Sequence, residues 1–179
     1  MNDLSPARLW LMRAAFLLLA LTILFFQLLP LETTPRNWAG PDILLCFACA
    51  WSLRRPDFVP AALLAAAFLL SDLLLQRPPG LWAVLALIGC ENLKTRGRSL
   101  RDANFAAEWA TVGLIMLLVM LAYRLVLAVA LVDLPSVTLS LTELGATILI
   151  YPLIVAVTRW VMRVRRPAPG ELESLGQRL

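Results

Sequence analysis

The sequence predicts an all-α membrane protein, folded as a compact bundle of six transmembrane helices. Of its 179 residues, 60% are hydrophobic and 16% are charged, and a mean hydropathy of +0.79 exceeds that of ordinary soluble domains. The apolar residues form long runs, and prolines, glycines and charges mark the breaks between them. The net charge is +4, and the basic residues are concentrated in alternate breaks. That alternation is typical of a chain that crosses a membrane repeatedly.

The first apolar run, residues 14 to 31, follows Arg8 and Arg13. It has about 18 apolar positions, more than the core of a signal peptide, and no small-x-small cleavage site follows it. The sequence therefore predicts a retained transmembrane helix. The next segment, ETTPRNWAGP, contains two prolines and a glycine and is predicted to be a short loop.

The second run, PDILLCFACAWSL, offers only about 13 residues between charged ends, a length typical of a re-entrant or interfacial piece. The preceding NWAG and the snorkelling stems of Arg54 and Arg55 extend it nearly to a full crossing. We therefore interpret it as a span. The third run, residues 58 to 75, is clearer, because Pro60 is tolerated in the first turn of a helix.

The fourth run, PGLWAVLALIGCE, is again short, whereas the fifth is the longest and the sixth is of ordinary length. One transmembrane domain, residues 1 to 166, is predicted, followed by a cytoplasmic tail, residues 167 to 179. The predicted spans are 10–31, 38–54, 57–75, 79–91, 107–132 and 143–164.

The positive-inside rule orients these spans. With the N-terminus in the cytoplasm, 13 of the 16 Lys and Arg residues fall on the cytoplasmic side, Arg36 and Arg77 fall outside, and Arg124 lies within the fifth helix. Both termini are therefore predicted to be cytoplasmic. The most basic inner loop either sets topology or contacts anionic lipid or cytoplasmic filaments. Its basic residues are Lys94, Arg96, Arg98 and Arg101.

A polar cluster is predicted in the outer half of the membrane, made of Asp42, Asp72, Arg124 and Glu143. Charges at that depth usually face the bundle interior, pair with each other or line water. In one interpretation Arg124 pairs with Asp72 or Glu143 and holds the helices together, while Asp42 and Glu143 interact with helix dipoles. In the other, the cluster surrounds an outward-facing cavity that binds a substrate or a partner helix.

The residue patterns of common enzyme classes are missing from the sequence. The chain has no histidine and no P-loop, dinucleotide fingerprint or nucleophile elbow, so we expect neither an enzyme nor a cofactor or metal. No basic stretch is interleaved with aromatics, so no nucleic-acid partner is expected either. Cys46 and Cys49 form a C-x-x-C, but without a second pair they are interpreted as small packing residues.

Small residues also predict one helix contact. Ala61, Ala62, Ala65 and Ala66 place small side chains four apart on the third helix, a spacing that permits close approach to another helix. The small residues Cys46, Cys49 and Ala50 of the second helix are the candidate partner surface. Alanine-rich filler is the alternative interpretation.

The motifs follow one another in the order PDILLCFACAWSLRRPD, a third span that ends in an aspartate, PPGLW, a basic loop and ILIYPLIVAVTRWVMRVRR. This order resembles the MreD family, the rod shape-determining membrane proteins of bacteria. The resemblance covers residues 10 to 166. Its specific points are Pro41-Asp42, Trp51, Asp72 with the turn after it, and Pro152. The chain departs from the family in the residues just before Asp72. Relatives often have glycines there, whereas this chain has AAAFLLSD.

The resemblance implies a non-enzymatic inner-membrane part of the rod complex, which lengthens the cell wall and maintains rod shape. The implied partners are MreC, the actin-like MreB, and the RodA polymerase with its class B penicillin-binding protein, together with membrane lipids. The implied fold is similar to the substrate-binding subunits of energy-coupling factor transporters. The alternative function is therefore that of a substrate-binding membrane subunit of a small-molecule, vitamin-type transporter.

Overall fold

The structure, a computed structural model, describes residues 6–29, 39–97, 99–100 and 104–160. Within these ranges the chain is helical, with six α-helices, one short 3-10 turn and no strand, which confirms the all-α prediction. The turn is Pro56–Phe58. The helices are α1 Pro6–Leu28, α2 Ile43–Arg54, α3 Ala61–Leu74, α4 Leu81–Arg96, α5 Phe105–Val129 and α6 Val137–Trp160.

Three of these helices, α1, α5 and α6, are long and apolar enough to cross a membrane. With three such helices, the chain has the character of a membrane protein. The helices α2 and α3 are apolar but have only 12 and 14 residues. At about 1.5 Å per residue they measure roughly 18 and 21 Å, less than the hydrocarbon core of a bilayer.

The helices α2, α4, α5 and α6 form a ring in which each packs against the next and α6 returns to α2. The remaining two, α1 and α3, pack on the α2 and α4 side of this ring. The innermost element is α2, with 11 of its 12 residues buried. The surface of α2 meets protein rather than lipid. Its length therefore need not match the thickness of the bilayer. Arg54, predicted to snorkel, is in fact buried in this interior.

The ring has two ends, which hydrogen bonds between segments identify. We call the end where α2 finishes the Arg54 end. There Arg13 donates to the carbonyl of Asp57 at 3.2 Å, and Lys94 donates to the carbonyl of Val59 at 2.6 Å. We call the opposite end, where α2 begins, the Asp42 end. There the backbone N–H of Asp42, the N-cap of α2, donates to Thr147 Oγ1 of α6 at 2.9 Å.

The predicted close approach of α2 and α3 through small residues is wrong. Ala61, Ala62 and Ala66 are exposed, and α3 packs on α4 and α1 through a different face of Leu64, Ala67 and Phe68. Of the small residues of α2, Cys46 faces α6, because its thiol donates to the carbonyl of Thr147 at 3.2 Å, whereas Cys49 meets Cys90 of α4. The spacing of small residues therefore did not identify which helix each one meets.

A proline inside α6 creates a hydrogen bond between helices. Pro152 has no N–H, so the carbonyl of Ile148, four residues earlier, loses its intrahelical donor. The indole N–H of Trp109 on α5 donates to that carbonyl at 2.8 Å. Trp109 thereby joins α5 to α6.

Candidate functional site

At the Asp42 end the four ring helices leave a cavity of about 260 Å³. Residues from all four helices line it, together with residues of the α3–α4 and α5–α6 connections. Apolar side chains such as Met116 and Met120 form part of the wall. The charged and aromatic lining residues are Asp42, Arg77, Trp82, Tyr123, Arg124 and Glu143. The cavity therefore contains three members of the predicted polar cluster, and Asp72 is not among them.

Asp42 caps the N-terminus of α2. Its Oδ1 accepts from the backbone N–H of Leu45 at 2.9 Å, and its own N–H donates to Thr147 Oγ1 at 2.9 Å. The hydroxyl of Thr147 donates in turn to the carbonyl of Glu143 at 2.6 Å. A carboxylate at this position satisfies a free backbone donor and lies at the positive end of the helix dipole. These bonds hold Asp42 in place on the cavity wall.

Glu143 is paired with Arg77, a residue that the sequence offered only as an outer loop charge. Arg77 Nη2 lies 3.9 Å from Glu143 Oε1, which is beyond hydrogen-bond distance. The guanidinium of Arg77 also lies 5.1 Å from the ring centroid of Trp82, which packs edge-on against Tyr123. Glu143 was expected at the start of the last helix, but α6 begins six residues earlier. It therefore does not cap that helix.

Arg124 is held by the connection that follows its own helix and by the first turn of α6. Its Nη1 donates to the carbonyl of Pro135 at 2.9 Å and to Ser140 Oγ at 2.8 Å. Within the part of the chain that the structure describes, Arg124 forms no ion pair with Asp72 or Glu143, so that pairing is not observed. The α5–α6 connection and the start of α6 instead supply Arg124 with neutral acceptors, the Pro135 carbonyl and the Ser140 hydroxyl.

Asp72 is fully buried and closes the turn between α3 and α4. Its Oδ2 accepts from the N–H of Gly80 at 3.0 Å and from the N–H of Ala83 at 3.1 Å. Gly80 precedes α4 with φ of +86°, a conformation that glycine adopts without strain. The carboxylate of one helix thus caps the next helix. Asp72 does hold the bundle together, but its partners are backbone amides rather than an arginine.

A second charged group, which the sequence interpretation missed, lies at the Arg54 end. Arg54 Nη2 lies 2.7 Å from Glu108 Oε1, and both side chains are less than 10% exposed. The hydroxyl of Tyr151 donates to the same oxygen at 3.0 Å. This triad joins α2, α5 and α6. The sequence did contain a signal for this group, because Glu108 is a carboxylate within the long apolar run of residues 105 to 132. The same kind of signal identified Asp72 as a candidate.

The predicted basic loop is only partly described by the structure. Lys94 contacts Glu91 at 2.7 Å and the Val59 carbonyl, and Arg96 donates to Asn92 at 2.8 Å. Lys94 therefore acts as an intramolecular tie between α4 and the turn before α3. Arg98, Arg101 and the predicted tail, residues 167 to 179, lie outside the described residues.

The chemistry available at the cavity is recognition of a small polar molecule. Two guanidinium groups and two carboxylates surround it, next to an aromatic pair. Among the described residues no group of three or more His, Cys, Asp and Glu side chains could hold a metal ion, and Cys46, Cys49 and Cys90 are free and buried. Comparisons with protein-family models, curated proteins and solved structures find no match. The function is therefore inferred from the residues and their geometry.

Proposed function

We propose that this protein is a non-enzymatic, MreD-like component of the rod complex in the bacterial inner membrane. In this role it binds MreC and supports the RodA polymerase with its class B penicillin-binding protein, alongside MreB. The observation that carries the proposal is that the buried charged groups join helices. Asp72 caps α4 and Glu108 binds Arg54. Such a bundle suits a rigid scaffold on which other membrane proteins assemble.

The residues that carry the resemblance form a helix cap, a buried contact, a bond between helices and a turn. These structural roles support the proposal. Asp42 caps α2, Trp51 is fully buried and packs against Phe16 of α1, and Pro152 frees the carbonyl that Trp109 bonds between α5 and α6. Asp72 orders the turn that contains the PPG sequence. A sequence pattern that specifies turns and helix contacts is what a scaffold requires, since its function depends on the shape of its surface.

A leucine stripe on α5 is the surface we assign to MreC. The stripe consists of Leu114, Leu118, Leu121 and Leu125, each at least half exposed. Their spacing of four, three and four residues keeps them on one helix face. An apolar face of this kind can pack against the single transmembrane helix of a partner. The proposal includes six spans, an energy-coupling-factor-like bundle and both termini in the cytoplasm, which place α5 within the bilayer.

The test is depletion combined with co-purification. Depleting the protein from rod-shaped host cells should make them round, and the tagged wild-type protein should co-purify with MreC and RodA. Changing Leu118 and Leu121 together to alanine should reduce MreC recovery while the protein remains folded. Leu73→Ala, on an equally exposed position of α3, is the matched control. Normal cell shape on depletion, with no recovery of these partners, would contradict the proposal.

The cavity favours a second candidate, the substrate-binding subunit of a small-molecule transporter. Such a subunit needs a pocket with a few convergent polar groups, and the cavity of about 260 Å³ at the Asp42 end, with its charged residues, supports this candidate. Depletion would then leave the cells rod-shaped and impose a requirement for one nutrient. The tagged protein would co-purify with an ATPase module rather than with MreC. The two candidates therefore predict different phenotypes and different partners.

A further inference from the structure

The cavity at the Asp42 end has hydrogen-bond donors that the protein does not use. Trp82 lines the cavity and is only 8% exposed. Its indole N–H is buried and has no hydrogen-bond partner among the described residues. A buried donor without an acceptor costs about 1–3 kcal/mol. Native proteins rarely retain such groups unless a water, an ion or a ligand satisfies them.

The two arginines of the cavity also have spare capacity. Arg77 has a 3.9 Å ion pair and a ring contact, but it donates no hydrogen bond within the described part of the chain. Arg124 uses only its Nη1, so its other nitrogens remain available. Each guanidinium has five N–H donors in a planar fork that matches phosphate and carboxylate oxygens. These donors favour a ligand with an anionic, oxygen-rich group.

The carboxylates of Asp42 and Glu143 limit what that ligand can be. With both carboxyls ionised they balance the two arginines, so the charged lining residues have a formal net charge of zero. A purely anionic ligand would meet two carboxylates, and a purely cationic one would meet two guanidinium groups. A ligand that carries both signs is matched by both pairs. A cavity of about 260 Å³ has room for roughly nine waters at about 30 Å³ each. A ligand group that fills it must therefore replace no more than about that number of waters.

We propose that this cavity binds a phosphoethanolamine group, either as the headgroup of a membrane lipid or as a free soluble ester. The phosphate contacts the guanidinium groups of Arg77 and Arg124 and accepts from the indole N–H of Trp82. The ammonium group contacts Asp42 and Glu143. This inference concerns the cavity alone and goes beyond the proposed function. A failure to bind would leave the partner and cell-shape tests of that function unaffected.

A lipid source is compatible with the surroundings of the cavity. The cavity wall includes Pro135 of the α5–α6 connection. Next to it Leu131 and Val132 are exposed, and Val129 ends α5 with an exposed side chain. Acyl chains could lie along this apolar surface while only the headgroup enters the cavity. A soluble ester would need no such surface, and this difference separates the two sources experimentally.

The test uses the full chain in detergent and in phosphatidylcholine nanodiscs. Glycerophosphoethanolamine is the soluble probe and glycerophosphoglycerol, which lacks the amine, is its comparator, with binding measured by thermal shift and calorimetry. Nanodiscs doped with phosphatidylethanolamine or phosphatidylglycerol are read by native mass spectrometry of the released protein. Binding of the soluble ethanolamine probe assigns a free ester, and retention of phosphatidylethanolamine alone assigns a lipid. Either result supports the proposal.

Three cavity variants and two controls test the contacts. Trp82→Phe removes one neutral donor and should weaken binding roughly two- to tenfold, and Arg124→Gln should weaken it about tenfold or more. Glu143→Gln should reduce the preference for the amine-bearing probe over its comparator. Trp10→Phe and Arg159→Gln remove the same groups from exposed positions away from the cavity and should bind as the wild type does.

The proposal is overturned if the wild type binds neither ethanolamine probe, or if the glycerol comparators bind equally well. It is also overturned if Trp82→Phe and Glu143→Gln both bind like the two controls. These two substitutions change few atoms, so the test does not depend on Arg124→Gln remaining folded.

Discussion

The two ends of the helix ring use the same residue types for different purposes. At the Arg54 end an arginine and a glutamate lie 2.7 Å apart, both nearly fully buried, and Tyr151 donates to the same carboxylate. At the Asp42 end Arg77 and Glu143 lie 3.9 Å apart, with side chains 26% and 36% exposed beside a cavity. The first end is closed and the second is open. Separation and burial, rather than residue type, distinguish a structural contact from a binding site.

The energetic consequence follows from desolvation. A charge left alone in the interior loses its water without gaining a partner, and breaking a buried pair costs about 3–5 kcal/mol. A partly exposed pair keeps much of its hydration and contributes only about 0–1 kcal/mol. Substitutions in the Arg54–Glu108 pair should therefore affect folding, whereas substitutions in the Arg77–Glu143 pair should affect mainly what the cavity binds.

The largest expected effect is at Glu108. Glu108→Ala leaves the guanidinium of Arg54 buried without its carboxylate, so the free energy of unfolding should fall by about 3–5 kcal/mol. Thermal or denaturant unfolding in a fixed detergent measures this change. The control is the double variant Arg54→Met with Glu108→Leu, which removes both charges and should recover much of the loss. A double variant as unstable as Glu108→Ala alone would contradict the comparison.

The next effect is at Asp72. Asp72→Ala leaves the N–H groups of Gly80 and Ala83 without their acceptor, at a cost of about 1–3 kcal/mol. Asp72→Asn retains a side-chain oxygen and should cost less. Combining Asp72→Ala with Arg124→Ala should give additive changes within about 0.5 kcal/mol, because the two residues share no bond. A larger coupling would support the ion pair that the structure does not contain.

An effect of similar or smaller size is expected for the bond between α5 and α6. Trp109→Phe leaves the carbonyl of Ile148 without a donor and should lower the free energy of unfolding by about 1–2 kcal/mol. Pro152→Ala restores an intrahelical N–H to that carbonyl, so Trp109→Phe should cost less in the Pro152→Ala background. A double-mutant cycle of unfolding free energies measures the coupling. An equal cost in both backgrounds would show that the indole bond does not compensate for the proline.

The smallest effect on stability is expected for the Arg77–Glu143 pair at the Asp42 end. Arg77→Gln and Glu143→Gln should each change the free energy of unfolding by less than about 1 kcal/mol, because their pair is long and partly exposed. The same unfolding measurement on Arg54→Gln provides the matched arginine control at the other end. If Arg77→Gln were as destabilising as Arg54→Gln, the two ends would not differ as described.

Hydropathy and turn residues were sufficient to predict the helices. The apolar runs became α-helices, the proline and glycine breaks became their connections, and Asp42 became the N-cap of α2. These features are local, since they depend on side chains within a few residues of one another. Boundaries were less accurate, and α6 begins at Val137 rather than at residue 143. The segment 137–142, predicted to be a connection, contains Thr138, Ser140 and Thr142, residue types that a helix also accepts.

The sequence by itself determined that this chain is helical, that it is built for an apolar environment, and that buried charges matter in it. Only the tertiary structure decided which groups those charges meet. Asp72 meets backbone amides, Arg124 meets its own connection, and Glu108 meets an arginine more than 50 positions away. Ring closure brings together groups that are distant in the chain, and no local pattern specifies which of several carboxylates faces a given arginine.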